Sequence, residues 1–287
     1  MSDSAAAISL AEACWRDLVL GVVQGLTEFL PISSTAHLKV VPVLLGWGDP
    51  GVSVTAAIQL GSIAAVVVYF RSDLLQVLRG CARAFRYGQW REPEARLALA
   101  MMVGTAPILL TGFLIKLGWA EAYEASPLRS VPSIAIVSIV MAMLLALAEG
   151  LGPRRKRLAD VSGRDGLIVG LAQVLALIPG VSRSGSTLTA SLCDGWQRAD
   201  AARFSFLLGL PAISIAGLVE LRQAFSLSAE SGPLPLLTGI VSAAVVSWLA
   251  IDWLIKFLQR HSTWTFVIYR FLFGVALLVW WSLDAAN

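Results

Sequence analysis

Two stretches decide the fold: DLVLGVVQGLTEFLPISSTAHLKVVPVLLG at 17–46 and GLIVGLAQVLALIPGVSRSGSTLTASLC at 166–193. Both are apolar enough for a bilayer, yet a proline and a hydroxyl run cut each near its middle. The first carries Glu28, Pro31, Ser33-Ser34-Thr35, His37 and Lys39. The second carries Gln173, Pro179, Gly180 and the run Ser182-Arg183-Ser184-Gly185-Ser186-Thr187. Each side of the break leaves a helical piece of about ten to fourteen residues, whereas crossing a hydrocarbon core of about 30 Å takes roughly 20. Irregular polar backbone at membrane depth persists only inside protein or along a wet cavity. Both stretches are therefore expected to fold as re-entrant helix–turn–helix hairpins.

The 287-residue chain is 57% hydrophobic and 14% charged, with a mean hydropathy of +0.74. A soluble domain averages roughly 45–50% apolar and about 25% charged residues. That balance excludes an ordinary soluble enzyme, a disordered tail and a nucleic-acid-binding module, and a net charge of +3 offers a polyanion little attraction. Cys14, Cys81 and Cys193 are odd in number and widely spaced, so neither a disulfide framework nor a zinc site is expected. Residues 1–14 hold Asp3 and Glu12 without a basic run, which reads as a retained N-terminus rather than a signal peptide.

Six further segments are long and apolar enough to span: 52–70, 97–117, 131–150, 201–224, 234–257 and 265–283. Pro107 and Pro211 interrupt two of them, and Trp119, Trp264 and Trp280 mark ends suited to an interfacial belt. Basic residues gather in alternate connections. Arg71, Arg79, Arg83, Arg86, Arg91 and Arg96 follow the first span, Arg154 to Arg157 and Arg164 the third, and Lys256, Arg260 and His261 the fifth. Connection 118–130 has only Arg129 against Glu121 and Glu124, and 225–233 has Glu230 alone. The positive-inside rule puts the first three sets in the cytoplasm.

The order is then hairpin plus three spans, twice, with halves at approximately 15–150 and 166–284 of a single membrane domain, 1–287. Three is odd, so the second half enters from the opposite side: an all-α, polytopic, inverted-topology repeat. AAIQLGSIAAV (56–66) faintly echoes FSFLLGLPAISIAG (204–217). In such repeats the site lies near the midplane, where broken helices of the two halves meet.

An ionised side chain costs roughly 2.5–3.5 kcal/mol at the centre of a membrane helix, so Glu28 and Arg183 are candidate functional groups. Gln24 and Glu28, four apart, share a helix face. The Ser33-Ser34-Thr35 break exposes N–H groups at a helix N-terminus, which attract anions. Ser182-Arg183-Ser184 repeats that arrangement with a guanidinium, whose planar fork suits phosphate oxygens. An anion cradle, a carboxylate able to hold a divalent cation and the His37 imidazole together suit phosphoryl chemistry on a lipid. Blander roles compete: Ser33, Ser34 or Thr35 could satisfy broken backbone, and His37 could brace the turn. Gln173 is read as satisfying backbone in its hairpin, and Asp252 as pairing with Lys256. Arg183 has no acid near it in sequence but Asp194.

QGLTEFLPISSTAHL (24–38) and PGVSRSGST (179–187), with FSFLLGLP (204–211) and YRFLFG (269–274), resemble the undecaprenyl-diphosphate phosphatase family of the bacitracin-resistance type. The resemblance covers essentially the whole chain. It implies hydrolysis of a polyprenyl diphosphate carrier lipid of bacterial cell-wall synthesis, dependence on Mg²⁺ or Ca²⁺, and a pocket open to the periplasmic side of the inner membrane. By matching positions, it implies that Glu28 serves metal and catalysis, that Ser34 is a candidate nucleophile and that His37 is a candidate general acid/base or nucleophile, with an activated water as the alternative attacking group. Ser33 and Thr35 belong to the hydroxyl run, while Ser182, Arg183 and Ser184 hold phosphate. Gln24 stands where many members have Glu, and Ala36 where Gly is common. The bilayer and the lipid substrate are the implied partners, and the oligomeric state, a homodimer included, is left open. A transporter or lipid translocase is the alternative, since inverted repeats with broken helices are common in carriers. A type 2 phosphatidate phosphatase would need a second histidine soon after Arg183, and none occurs before His261.

Overall fold

The structure, a computed structural model, describes residues 9–284, leaving aside the side chains of 52–53, 124 and 220–231. The segment before Ser9, on which the reading of the N-terminus rests, lies outside the described residues, as do the side chains of Glu124 and Glu230. Twelve α-helices and no strand occur among the described residues. The first hairpin is α1 (Leu10–Phe29) and α2 (Ser34–Leu44), followed by α3 (Gly51–Tyr69), α4 (Arg71–Tyr87), α5 (Pro93–Gly118), α6 (Ala120–Glu124) and α7 (Val131–Leu151). The second hairpin is α8 (Gly163–Val174) and α9 (Arg183–Cys193), followed by α10 (Arg198–Ser231), α11 (Pro233–Arg260) and α12 (Trp264–Asp284). Five of these helices, α5, α7, α10, α11 and α12, are long and apolar enough to cross a membrane. The sixth expected span is α3, which passes the same test only together with α4, beyond a 70° bend.

Both hairpins form, with two corrections to the sequence reading. The outer arm α1 runs 20 residues, longer than expected, because Ser9 caps it early: the Ser9 hydroxyl accepts from the Glu12 N–H at 3.2 Å. The basic connection after the first span is not a loop. It forms α4, which buries Val77, Gly80 and Ala84 against α5 and leaves Arg79 and Arg86 exposed. Leu75, Leu78 and Phe85 are exposed beside those arginines, the composition of a helix lying in an interface.

Helix pairing reveals the repeat. Exchanging the halves maps α1 onto α8, α3 onto α10, α5 onto α11 and α7 onto α12. Under that exchange the contact α1–α11 becomes α8–α5, and α3–α11 becomes α10–α5, while α3–α10 and α7–α12 map onto themselves; all six contacts are present. Each hairpin thus nests on the second span of the other half. Small residues allow it, since lipid gives no hydrophobic drive and close backbone approach must supply the attraction. Gly21 and Gly25 of α1 lie on Gly239, Ala243 and Ser247 of α11; Gly166 and Gly170 of α8 lie on Ala100 and Gly104 of α5. A Cβ on Gly25 would stand 2.7 Å from the Val246 Cβ and 2.9 Å from the Ser247 nitrogen.

A polar knot closes the base of the second hairpin. Lys156 bridges Asp165 at 2.5 Å and Asp194 at 2.6 Å, and the Arg155 and Lys156 N–H groups donate to the Gly195 carbonyl. Partial burial works against the Lys156 charge, but hydrogen bonds to the two carboxylates outweigh it and raise its pKa. Glu149 gathers Arg154, Arg198 and Thr263 nearby. These basic residues therefore do structural work beyond setting topology. Asp252 pairs with Lys256 at 2.7 Å, as expected.

Replacing Gly25 by Leu is expected to lower the thermal midpoint in detergent by an amount equivalent to about 1–3 kcal/mol or more. Gly112→Ala, where a Cβ meets nothing within 4 Å, should leave the midpoint within experimental error.

Candidate active site

The two hairpin breaks meet. Each is built around a serine with positive φ, Ser33 (φ 75°) and Ser182 (φ 71°), a backbone conformation unusual for a non-glycine residue. Each serine then caps the returning helix: Ser33 Oγ accepts from the Ala36 N–H at 3.4 Å, and Ser182 Oγ from the Gly185 N–H at 3.1 Å. Ala36 fits in the place where glycine is common, its side chain packed with Ile134 and Leu277.

The carbonyls freed by the breaks are satisfied by two side chains. Arg270 of α12, 1% exposed, donates through Nη1 to Pro31 O and Val181 O, each at 3.0 Å, and through Nη2 to Gly180 O at 2.8 Å. Ser184 Oγ donates to Leu30 O at 2.9 Å, crossing from the second hairpin to the first. Sequence reasoning missed Arg270. The signal that flagged Glu28 and Arg183, an ionised residue inside an apolar span, was present there too.

Glu28 and Arg183 come together beside this clamp. Arg183 Nη2 lies 3.5 Å from Glu28 Oε1, and side chains on both are at most 10% exposed. The acid for Arg183 is thus Glu28, not Asp194, which is held by Lys156. Ser34 Oγ donates to Glu28 Oε2 at 2.7 Å, and the Gln24 amide donates to the same oxygen at 3.2 Å. Arg183 Nη1 reaches Ser205 O at 3.4 Å, while its Nε and Nη2 are buried without hydrogen-bond partners. Gly209 makes room for the guanidinium, which occupies the position a Cβ would take.

A cavity of about 310 Å³ opens on this constellation. Its polar wall is Gln24, Glu28, Ser33, Ser34, Thr35, Ser182 and Arg183; Ile108, Ala212, Ile213 and Ala216 form an apolar wall from α5 and α10. Lys39 from α2, with Asp49 and Arg129 from the connecting segments, completes it, and none of these three was singled out as a site residue from sequence.

Over residues 17–276 the chain matches the family model described as "Bacitracin resistance protein BacA". The chain belongs to this family. It is 77% identical over its whole length, and the whole of theirs, to proteins named undecaprenyl-diphosphatase from Parasynechococcus marenigrum (strain WH8102) and Synechococcus sp. (strain CC9605). A protein of the same name from Prochlorococcus marinus (strain MIT 9303) is 73% identical, over 97% of this chain and 94% of that one.

Two expected site residues of this BacA family member, His37 and Ser184, stand apart from the cavity, and so does Gln173. His37 does not line it: it is 6% exposed and stacks on Phe273, with ring centroids 4.4 Å apart. Its Nδ1 lies 2.8 Å from Ser33 O and its Nε2 2.6 Å from the Tyr269 hydroxyl. A carbonyl can only accept, so Nδ1 carries the proton, and Nε2 accepts from Tyr269. Ser184 is turned onto the carbonyls of the first break instead of the cavity. Gln173 does not satisfy its hairpin backbone; both of its amide atoms are buried without a hydrogen-bond partner.

Arg270→Met removes three hydrogen bonds from a charged donor, each worth about 1.5–3 kcal/mol. The variant is expected to be recovered in low yield or with a strongly lowered thermal midpoint. A His37→Gln variant should lose turnover by loosening the Ser33 break while keeping the wild-type shape of the pH–rate profile between about pH 5 and 8. Disappearance of one limb of that profile would make the imidazole a proton carrier.

Proposed function

We propose that this chain is an undecaprenyl-diphosphatase, hydrolysing undecaprenyl diphosphate to undecaprenyl phosphate and inorganic phosphate and so recycling the carrier lipid that bacitracin targets. The observation that carries the reading is the constellation Ser34–Glu28–Arg183 in one cavity at the junction of two lipid-embedded breaks. Its place is the bacterial inner membrane, with the cavity facing the periplasm. Supporting this, Arg129, on the cavity wall, belongs to the connection poor in basic residues, on the side away from the arginine-rich connections.

Ser34 attacks the terminal phosphorus. Its hydroxyl already donates to Glu28, so the carboxylate is placed to take the proton as the Oγ–P bond forms. The P–O bond to the bridging oxygen breaks, undecaprenyl phosphate leaves, and the proton passes to the leaving phosphate oxygen. Water then attacks the phosphoserine, Glu28 taking its proton as the P–Oγ bond breaks; that proton returns to Ser34 Oγ and inorganic phosphate is released. Arg183 Nε, which meets no protein acceptor, and Nη2, approached only by Glu28 at 3.5 Å, hold the non-bridging oxygens, where charge develops. His37 acts as a positioning residue: its bond to Ser33 O fixes the turn that presents Ser34.

No group of three His, Cys, Asp or Glu side chains that could cage a metal occurs among the described residues. One carboxylate beside a neutral amide nevertheless fits a hard cation that is shared with substrate phosphates, the usual Mg²⁺ arrangement. Glu28 would hold Mg²⁺ or Ca²⁺ with Gln24 alongside, and the cation, when bound, supplies neutralisation of phosphoryl charge.

Purified protein should release phosphate from a prenyl diphosphate, and EDTA should suppress the release. Ser34→Ala is expected to lose at least about 10³-fold in kcat and to yield no acid-trapped phosphoserine. Full turnover by Ser34→Ala would end the covalent route, and full turnover by Glu28→Ala or Arg183→Ala would remove the site. Movement of a labelled lipid phosphate across liposomes without hydrolysis would favour a translocase instead.

A further inference from the structure

The cavity holds more cationic side chains than the one beside Ser34. Lys39, Arg129 and Arg183 line it against two carboxylates, Glu28 and Asp49. Arg183 is paired with Glu28. Of the three cations on the cavity, Lys39 and Arg129 have no ion pair among the described residues.

Neutral groups hold these two cations in place. Lys39 Nζ donates to the carbonyl of Arg129 at 2.5 Å, which leaves two of its three N–H groups for another acceptor. The Arg129 guanidinium lies over the Tyr123 ring, 5.8 Å from its centroid, and keeps its hydrogen-bond donors in the ring's presence. Tyr123 in turn donates to Leu177 O of the second hairpin at 2.5 Å. The connection between α5 and α7 is thereby fastened to the first hairpin through Lys39 and to the second through Tyr123. Two cations are thus presented to the cavity at little further cost in ordering.

We propose that Lys39 and Arg129 form a second phosphate subsite, so that the diphosphate is gripped at two points: one phosphate by Arg183 beside Ser34, the other by the lysine–arginine pair. The proposal rests on the cavity being the catalytic one. Lysine supplies a point charge and arginine a planar fork, a combination suited to a phosphate approached from two directions. The pair sets affinity and preference for a diphosphate over a single phosphate, and leaves the chemical step to Glu28, Ser34 and Arg183.

The test uses the full chain in detergent at fixed free Mg²⁺, with Lys39→Met, Lys39→Arg, Arg129→Gln and Arg183→Gln. For Lys39→Met and Arg129→Gln, KM for a prenyl diphosphate should rise about tenfold, equivalent to about 1.4 kcal/mol, with kcat within about twofold. Inorganic pyrophosphate should lose most of its advantage over inorganic phosphate as a competitive inhibitor, and Lys39→Arg should retain that advantage. An unchanged pyrophosphate-to-phosphate inhibition ratio would overturn the subsite. So would a fall in kcat at unchanged KM, the pattern of a strut that only holds the connection. Arg183→Gln separates the two levels: retained turnover there would overturn the catalytic cavity itself. Its loss, together with an unchanged ratio in the other variants, would overturn the second subsite alone.

Discussion

Broken backbone in a membrane must find donors, because the surrounding lipid has none to offer. Three carbonyls freed at the two breaks, Pro31, Gly180 and Val181, converge on the single buried guanidinium of Arg270. The Ser184 hydroxyl adds Leu30. Everything else at the site depends on this convergence. Glu28 sits at the end of one arm and Arg183 at the start of another, so the clamp that satisfies the backbone also sets their separation. Arg270 contributes no atom to the cavity wall, yet it fixes which side chains share that cavity.

Much of this was legible in the sequence, for a physical reason. An acid or a guanidinium inside an apolar run is costly, so Glu28 and Arg183 identified themselves, and the Pro-led hydroxyl runs identified the breaks. The parity of spans and basic connections gave the repeat. What stayed hidden depends on partners far apart in the chain. His37 meets Tyr269 across 232 positions, and nothing local indicates that its ring turns away from Ser34. Arg270 was passed over because it lies within a span whose apolar character dominates the reading. The amphipathic face of α4 was masked by its arginines, which read as a topology signal. Lys39 and Arg129 look like ordinary surface cations until the fold places them on one cavity.

The repeat also explains how a near-symmetric scaffold carries an asymmetric site. Ser34 and Arg183 occupy equivalent positions, each the first helical residue after a serine cap with positive φ. Glu28 and Gln173 are equivalent too, each three residues beyond the second glycine of its stripe. One half therefore contributes the hydroxyl and the carboxylate to the cavity and the other the guanidinium, while the Gln173 amide stays apart from it.

That division follows from the electrostatics of burial. A strictly duplicated break would place two guanidinium groups, at positions 34 and 183, in a space of about 310 Å³, where each unpaired charge is expensive. Arg183 has one carboxylate partner, Glu28, and its Nε meets no protein acceptor. A second guanidinium at position 34 would have to share that single carboxylate, whereas the Ser34 hydroxyl donates to it without adding a charge. Breaking the symmetry at positions 34 and 183 is what turns two equivalent helix breaks into one cavity with a hydroxyl on one side and a guanidinium on the other.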